Sequence, residues 1–188
     1  MEKSKTKMLA EAGILIAVSC ILDYVAQFLP LKLWAQGGSI NIALFPIVLY
    51  SARNFMHKNG WQFCILVGIA SRGLVMLWAP AGIYHPLSAV LDYLLIGALY
   101  GLVGLFCKIK NGEILEWGIV VFGTLALCSH ILSGVILFSE YMPDVYFGMN
   151  MKNMWVYSTL YNATHAVPSM ILTISVFSLF PKRLKTDS

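Results

Sequence analysis

Charge is what this chain has least of. Asp, Glu, Lys and Arg make up 12% of its 188 residues, about half of what a soluble domain carries. So little polar surface cannot cover a globule, which excludes a large soluble enzyme, a nucleic-acid binder and a disordered tail. Cysteine is sparse and scattered. Cys20, Cys64, Cys107 and Cys128 all fall inside apolar runs, with no CxxC pair and no metal-ligand spacing, so they read as apolar filler. No G-x-x-x-x-G-K-[ST] loop occurs, so the chain has no usual means of cradling ATP phosphates. Internal repeats, low-complexity stretches and linkers are also missing, and residues 1–188 read as a single domain.

Apolar residues are abundant, at 59%, and the mean hydropathy is +0.74. The chain reads as an all-α integral membrane protein. A spanning helix needs about 20 mostly apolar residues, and six runs qualify: Met8–Leu29, Ile40–Met56, Phe63–Ala79, Pro86–Cys107, Ile114–Ser139 and Met154–Phe180. The second is short and holds Pro46, which is tolerable where neighbours satisfy the freed carbonyl. Lys3, Lys5 and Lys7 before the first run resemble the start of a signal peptide. No A-x-A cleavage pattern follows, and Asp23 lies within the run, so it is expected to be a retained helix.

Basic residues near helix ends mark the cytoplasmic side. Lys3, Lys5 and Lys7, then Arg53 and Lys58, Lys108 and Lys110, and Lys182, Arg183 and Lys185 all fall on one side of a six-span chain. These are ten of the thirteen basic residues; only Lys32 and Lys152 fall opposite, and Arg72 is inside a span. Both termini are therefore cytoplasmic. The outer connections carry aromatics and glycine, among them Trp34, Tyr84, Tyr141 and Tyr146, as interfacial anchors or a lid would.

Ionisable groups at membrane depth usually face the bundle interior or a water-filled site. Asp23 and Gln27, Asp92, His130 and Ser133, and Asn162 and His165 all fall in the outer halves of their helices. Helical spacing places them in stripes: Ser19, Asp23 and Gln27; His85, Ser88 and Asp92; His130, Ser133 or Gly134, and Phe138; Asn162, His165 and Ser169. One stripe would be interhelical hydrogen-bond glue. Four at one depth, opening toward aromatic loops, predict a pocket. Asp92 supplies negative charge, and Trp34, Tyr84, Tyr93 and Tyr157 supply π faces suited to a flat or cationic ring. His130 and Asn162 suit ring nitrogens or an exocyclic amine. These residues predict a small cationic or heteroaromatic nutrient entering from outside.

The same residues carry a resemblance along nearly the whole chain. Trp34 in the first outer loop, Leu91-Asp92-Tyr93, His130-x-x-Ser133-Gly134 and Tyr157-Ser158-x-x-Tyr161-Asn162 resemble the thiamine-specific substrate-binding (S) components of energy-coupling-factor (ECF) vitamin transporters. Asp92 stands where that family commonly has Glu, and Phe138 where a Trp is common. The resemblance implies a bacterial, multi-pass cell-membrane protein with the ECF S-component fold, requiring no cofactor or metal. It implies thiamine as ligand, held by Trp34, Tyr84, Asp92, Tyr93, His130, Ser133, Gly134, Phe138, Tyr157 and Asn162. It also implies a transmembrane coupling subunit and two ATPases as partners, beside membrane lipid and without nucleic acid. Gly13-x-x-x-Ala17 offers the small-residue surface by which such proteins meet the coupling subunit; Gly97-x-x-x-Gly101 offers either the same or internal packing. Asn162 lies about 140° from Tyr157 on an ideal helix, which predicts that Tyr157 precedes the regular helix.

Three alternatives stand beside this expectation. The chain could be an S component for another vitamin, or a solitary ion-coupled carrier. It could also be an intramembrane hydrolase using Ser133 with His130 or His165, although Ile131-Leu132-Ser133-Gly134 lacks the G-x-S-G setting of such enzymes.

Overall fold

A computed structural model describes residues 3–28, 32–34, 37–79, 85–108 and 115–180. Tyr84, the basic residues Lys110, Lys182, Arg183 and Lys185, and the expected helix ends Leu29 and Ile114 lie outside them. In chain order the elements are α1 (Lys5–Ala26), β1 (Lys32–Trp34), β2 (Gly37–Ser39), α2 (Phe45–Asn54), α3 (Gly60–Val75), α4 (Pro86–Phe106), α5 (Leu115–Leu137), β3 (Val145–Tyr146), β4 (Met149–Asn150) and α6 (Met154–Leu179). The six helices follow the six expected runs. The strands form two short antiparallel hairpins, β1 with β2 and β3 with β4, in the outer connections.

Helices α1, α4 and α5 are each long and apolar enough to cross a membrane, and α3 is a shorter apolar helix. α1 packs on α2 and α3, α3 packs along α4, and α4 passes to α5, which runs against α6. The face of α1 turned away from the bundle carries Leu9, Ile14, Ile21 and Val25, all exposed; in a bilayer this face meets lipid tails or another helix.

Two helices depart from regularity, both at the outer end of the bundle. α2 is helical over only 10 residues, about 15 Å of a hydrocarbon layer about 30 Å thick. The expected span from Ile40 is therefore helical only from Phe45, and Pro46 opens the helix instead of interrupting it. At that position its missing N–H costs nothing. The unwound stretch before it is anchored by Asn41, whose N–H donates to Ser169 Oγ on α6 at 3.1 Å and whose Oδ1 accepts from Ala43 N–H at 3.0 Å. In α4, His85 caps the first turn by accepting from Leu87 N–H, and residues Ala89–Leu94 form a π-helical turn before the α-helix resumes at Leu95. Such widened turns are rare and often mark functional sites.

The close-packed core occupies the inner half. Phe45, Ile47, Val48, Val103, Ile119, Phe122 and Phe177 are buried there, from α2, α4, α5 and α6. α3 and α4 approach backbone to backbone, since a Cβ on Gly97 would lie 2.2 Å from the Gly68 carbonyl oxygen, and one on Gly101 2.4 Å from that of Cys64. The Gly97-x-x-x-Gly101 pair is thus an internal packing surface. Hydroxyls knit the same region: Ser51 Oγ donates to Gly101 O at 2.6 Å, Ser71 Oγ to Ser19 Oγ at 2.8 Å, and Ser19 Oγ to Ala43 O at 2.5 Å. At the inner end Glu11 accepts from Lys3, Arg53 and Asn54, tying the start of the chain to α2.

Candidate ligand-binding site

The outer half of the bundle encloses a cavity of about 610 Å³. Its walls come from α1, α3, α4, α5, α6 and the unwound segment before α2, and its floor reaches Ile96, Tyr100 and Gly123. Irregular backbone survives at membrane depth where it lines a cavity, and Gly38, Ser39 and Asn41 do so here. Gly38 has φ +79°, and a Cβ on it would stand 2.6 Å from His165 Cδ2. Only glycine fits that turn and that approach.

Asp92 is the chemical centre. The π-helical turn presents it to α5, where His130 Nδ1 lies 2.8 Å from one carboxylate oxygen and Ser133 Oγ donates to the other at 2.5 Å. With both oxygens engaged, the carboxylate has a fixed orientation. Ser129 Oγ, one turn from Ser133, donates to Leu91 O at 2.7 Å and holds the widened turn against α5. Tyr93 follows on the same wall, its hydroxyl 3.4 Å from Ala79 O.

The α6 wall carries two adjoining ridges. Tyr157, Tyr161 and His165 follow at four-residue spacing, with ring centroids 5.9 and 6.2 Å apart, and His165 meets the His130 ring edge-on at 5.9 Å. Ser158 and Asn162 form the second ridge. Asn162 donates to Ser158 O at 2.9 Å and to His130 O at 3.3 Å, leaving its Oδ1 to accept from a ligand. Gly134 lets this ridge close on α5, because a Cβ there would stand 2.2 Å from Ser158 Oγ. Beyond the cavity mouth, Tyr146 of β3 packs edge-on against Tyr157 at 5.1 Å, and burial pushes its phenol up to about 12.

Of the expected pocket residues, Asp92, Tyr93, His130, Ser133, Gly134, Phe138, Tyr157 and Asn162 all line this cavity. Trp34 has its backbone in β1, while its side chain, like all of Tyr84, lies outside the described residues. Tyr157 does not precede the helix. It sits in the first turn of α6, which Asn153 caps, and reaches the cavity from the neighbouring ridge. The stripes divide between two roles. Asp23, Gln27, His165 and Ser169 face the cavity, whereas Ser19 bonds α1 to the chain before α2, and Ser88 donates to His85 O at 2.7 Å within the cap.

The expectation missed the partnership of Asp23 with Arg72. Arg72 Nη1 donates to Asp23 Oδ2 at 2.9 Å, and both residues line the cavity. The sequence shows only that these are opposite charges at one depth; that the first and third spans touch comes from the structure. Tyr161, present in the α6 motif but not among the expected ligand residues, also lines the cavity and completes the four-residue spacing from Tyr157 to His165. Gly13 and Ala17 lie far from the site on the exposed face of α1, and a Cβ on Gly13 would meet nothing within 4 Å.

Helices spanning a membrane around an outward-placed polar cavity define a membrane protein that takes a small solute from one face. The comparisons narrow the class. The model of the family "Thiamine transporter protein (Thia_YuaJ)" matches residues 9–187, and the chain belongs to that family. It is 32% identical to the thiamine transporter ThiT of Bacillus subtilis over 100% of this chain and 99% of that protein. It is 26% identical to the ThiT of Lacticaseibacillus paracasei over 90% and 84%. The fold matches a solved ThiT structure from Listeria monocytogenes with a TM-score of 0.76, covering 98% of this chain and 100% of that one at 17% identity. The chain is a bacterial multi-pass membrane protein with an S-component fold, and it is not an enzyme. Ser133 accordingly serves the Asp92 carboxylate and not a hydrolytic reaction.

Proposed function

We propose that this chain is the substrate-binding subunit of an ATP-driven ECF transporter, capturing thiamine from outside and delivering it across the membrane. Thiamine transport is the family's activity. The observation that supports capture of thiamine in this cavity is Asp92, a carboxylate oriented by His130 and Ser133 among aromatic side chains. A carboxylate at this depth is costly without a compensating cation, and the thiazolium of thiamine is such a cation on a flat ring. Tyr93, Tyr157 and Phe138, with Trp78, supply the π surfaces. Asn162 Oδ1 and the His130 ring suit the amine and nitrogens of the pyrimidine.

Energy must come from elsewhere, because the sequence has no phosphate-cradling G-x-x-x-x-G-K-[ST] loop. The exposed Gly13 and Ala17 on α1 offer a close approach to a transmembrane coupling subunit, which two ATPases would drive. The test of capture is a titration of the isolated protein with thiamine, without ATP, followed by tryptophan fluorescence. Saturable quenching is expected. A flat response to thiamine with saturation by riboflavin or biotin would assign the pocket to another vitamin.

A further inference from the structure

The cavity wall contains a second charged centre that a cationic ligand alone does not call for. Arg72 brings a guanidinium to the same space as Asp92, and its side chain is only 13% exposed. Asp23, 3% exposed, accepts from Arg72 Nη1 at 2.9 Å, with Trp78 Nε1 3.4 Å from its other oxygen. The guanidinium carbon stands 5.9 Å from the centre of the Tyr93 ring, next in sequence to Asp92, and Arg72 Nε is buried with no hydrogen-bond partner among the described residues. The carboxylates and guanidinium lining the cavity therefore number two against one.

We propose that Asp23 sets the charge this cavity presents, masking Arg72 so that a free cationic ligand is admitted and its phosphate esters are disfavoured. This rests on the reading of the cavity as a thiamine site. An unmasked guanidinium would repel a thiazolium and would fork onto a phosphate, the geometry for which arginine is suited. With the Asp23 carboxylate beside it, the guanidinium's charge is balanced, the excess negative charge belongs to Asp92, and a phosphate finds no uncompensated cation. Selectivity then comes from a built-in penalty on the wrong ligand as well as from contacts to the right one. Arg72 is thus a latent anion site held closed by an acid on the neighbouring helix.

The experiment compares the dissociation constants of thiamine and thiamine monophosphate for the wild-type protein and for Asp23→Asn, Arg72→Gln and the double variant, in detergent. The readout is the ratio of the two constants. Asp23→Asn should lower the discrimination against the monophosphate by about tenfold, equivalent to about 1.4 kcal/mol, and weaken thiamine itself. Arg72→Gln should move the ratio the opposite way, and the double variant, with the wild-type charge restored, should return to within about threefold of wild type. A pair that merely fastens α1 to α3 would weaken both ligands together in every variant and leave the ratio unchanged, which would overturn the proposal. Should Asp23→Asn not fold, Arg72→Gln and the double variant decide by themselves. Absence of thiamine binding by the wild-type protein would instead refute the thiamine reading.

Discussion

Asp92 gains its value from two neighbours, and substitution should separate their contributions. Asp92→Asn keeps the size and removes the charge, so thiamine affinity should fall by about 2–5 kcal/mol, the cost of breaking a desolvated charge pair. Asp92→Glu should retain most of the affinity. Ser133→Ala removes one donor to the carboxylate and should cost less, about 1.5–3 kcal/mol at most. Calorimetric titration with thiamine checks all three; equal affinity of the Asn and wild-type proteins would make Asp92 structural. At this scale the sequence was informative about type and depth but not about partners. That Asp92, His130 and Asn162 share a pocket follows from helical spacing and topology. That His130 and Ser133 take opposite oxygens of one carboxylate does not, because it depends on how far α5 is rotated toward α4. The Asp23 and Arg72 pairing needed the contact of α1 with α3, which periodicity alone does not reveal.

The helices carry two kinds of glycine, which should respond oppositely to substitution. Gly97 sits where a Cβ would fall 2.2 Å from a backbone oxygen of α3. Gly97→Val should force α3 and α4 apart and cost about 3 kcal/mol or more, read as a lower thermal midpoint in detergent. Gly13 faces open space, so Gly13→Trp should leave that midpoint and thiamine binding within error. Both glycines belong to similar small-residue motifs, and local pattern cannot say which surface a neighbour occupies. The second span shows a related limit. Its apolar composition announced a helix from Ile40, but Asn41 and Pro46 favour an unwound start, and burial against α6 makes that irregular backbone affordable at depth.

For the whole molecule, the prediction concerns energy. Reconstituted alone in liposomes, the protein should bind thiamine without concentrating it, because it has no ATP-binding loop and its ionisable groups at depth cluster in the outer half. Accumulation should require a coupling subunit, its ATPases and ATP, and Gly13→Trp should abolish accumulation while sparing binding. Uptake of radiolabelled thiamine checks this. Concentration by the lone protein under an imposed proton gradient would make it a secondary carrier.

The π-helical turn in α4 also bears on how such a protein can change over time. A π turn holds one residue more than the α turn it replaces, so the helix contains a spare residue between its two jobs. Below the turn, Gly97 and Gly101 fix the register against α3; within it, Asp92 and Tyr93 line the cavity. Deleting Leu94 would let the helix run on as an ordinary α-helix, turning Asp92 by about 100° while the glycine seam stays in place. The deletion variant should remain monodisperse with a thermal midpoint close to wild type, yet give a flat thiamine titration. A single-residue insertion or deletion is thus a route by which descendants of this fold can gain or lose a ligand without having to rebuild the bundle.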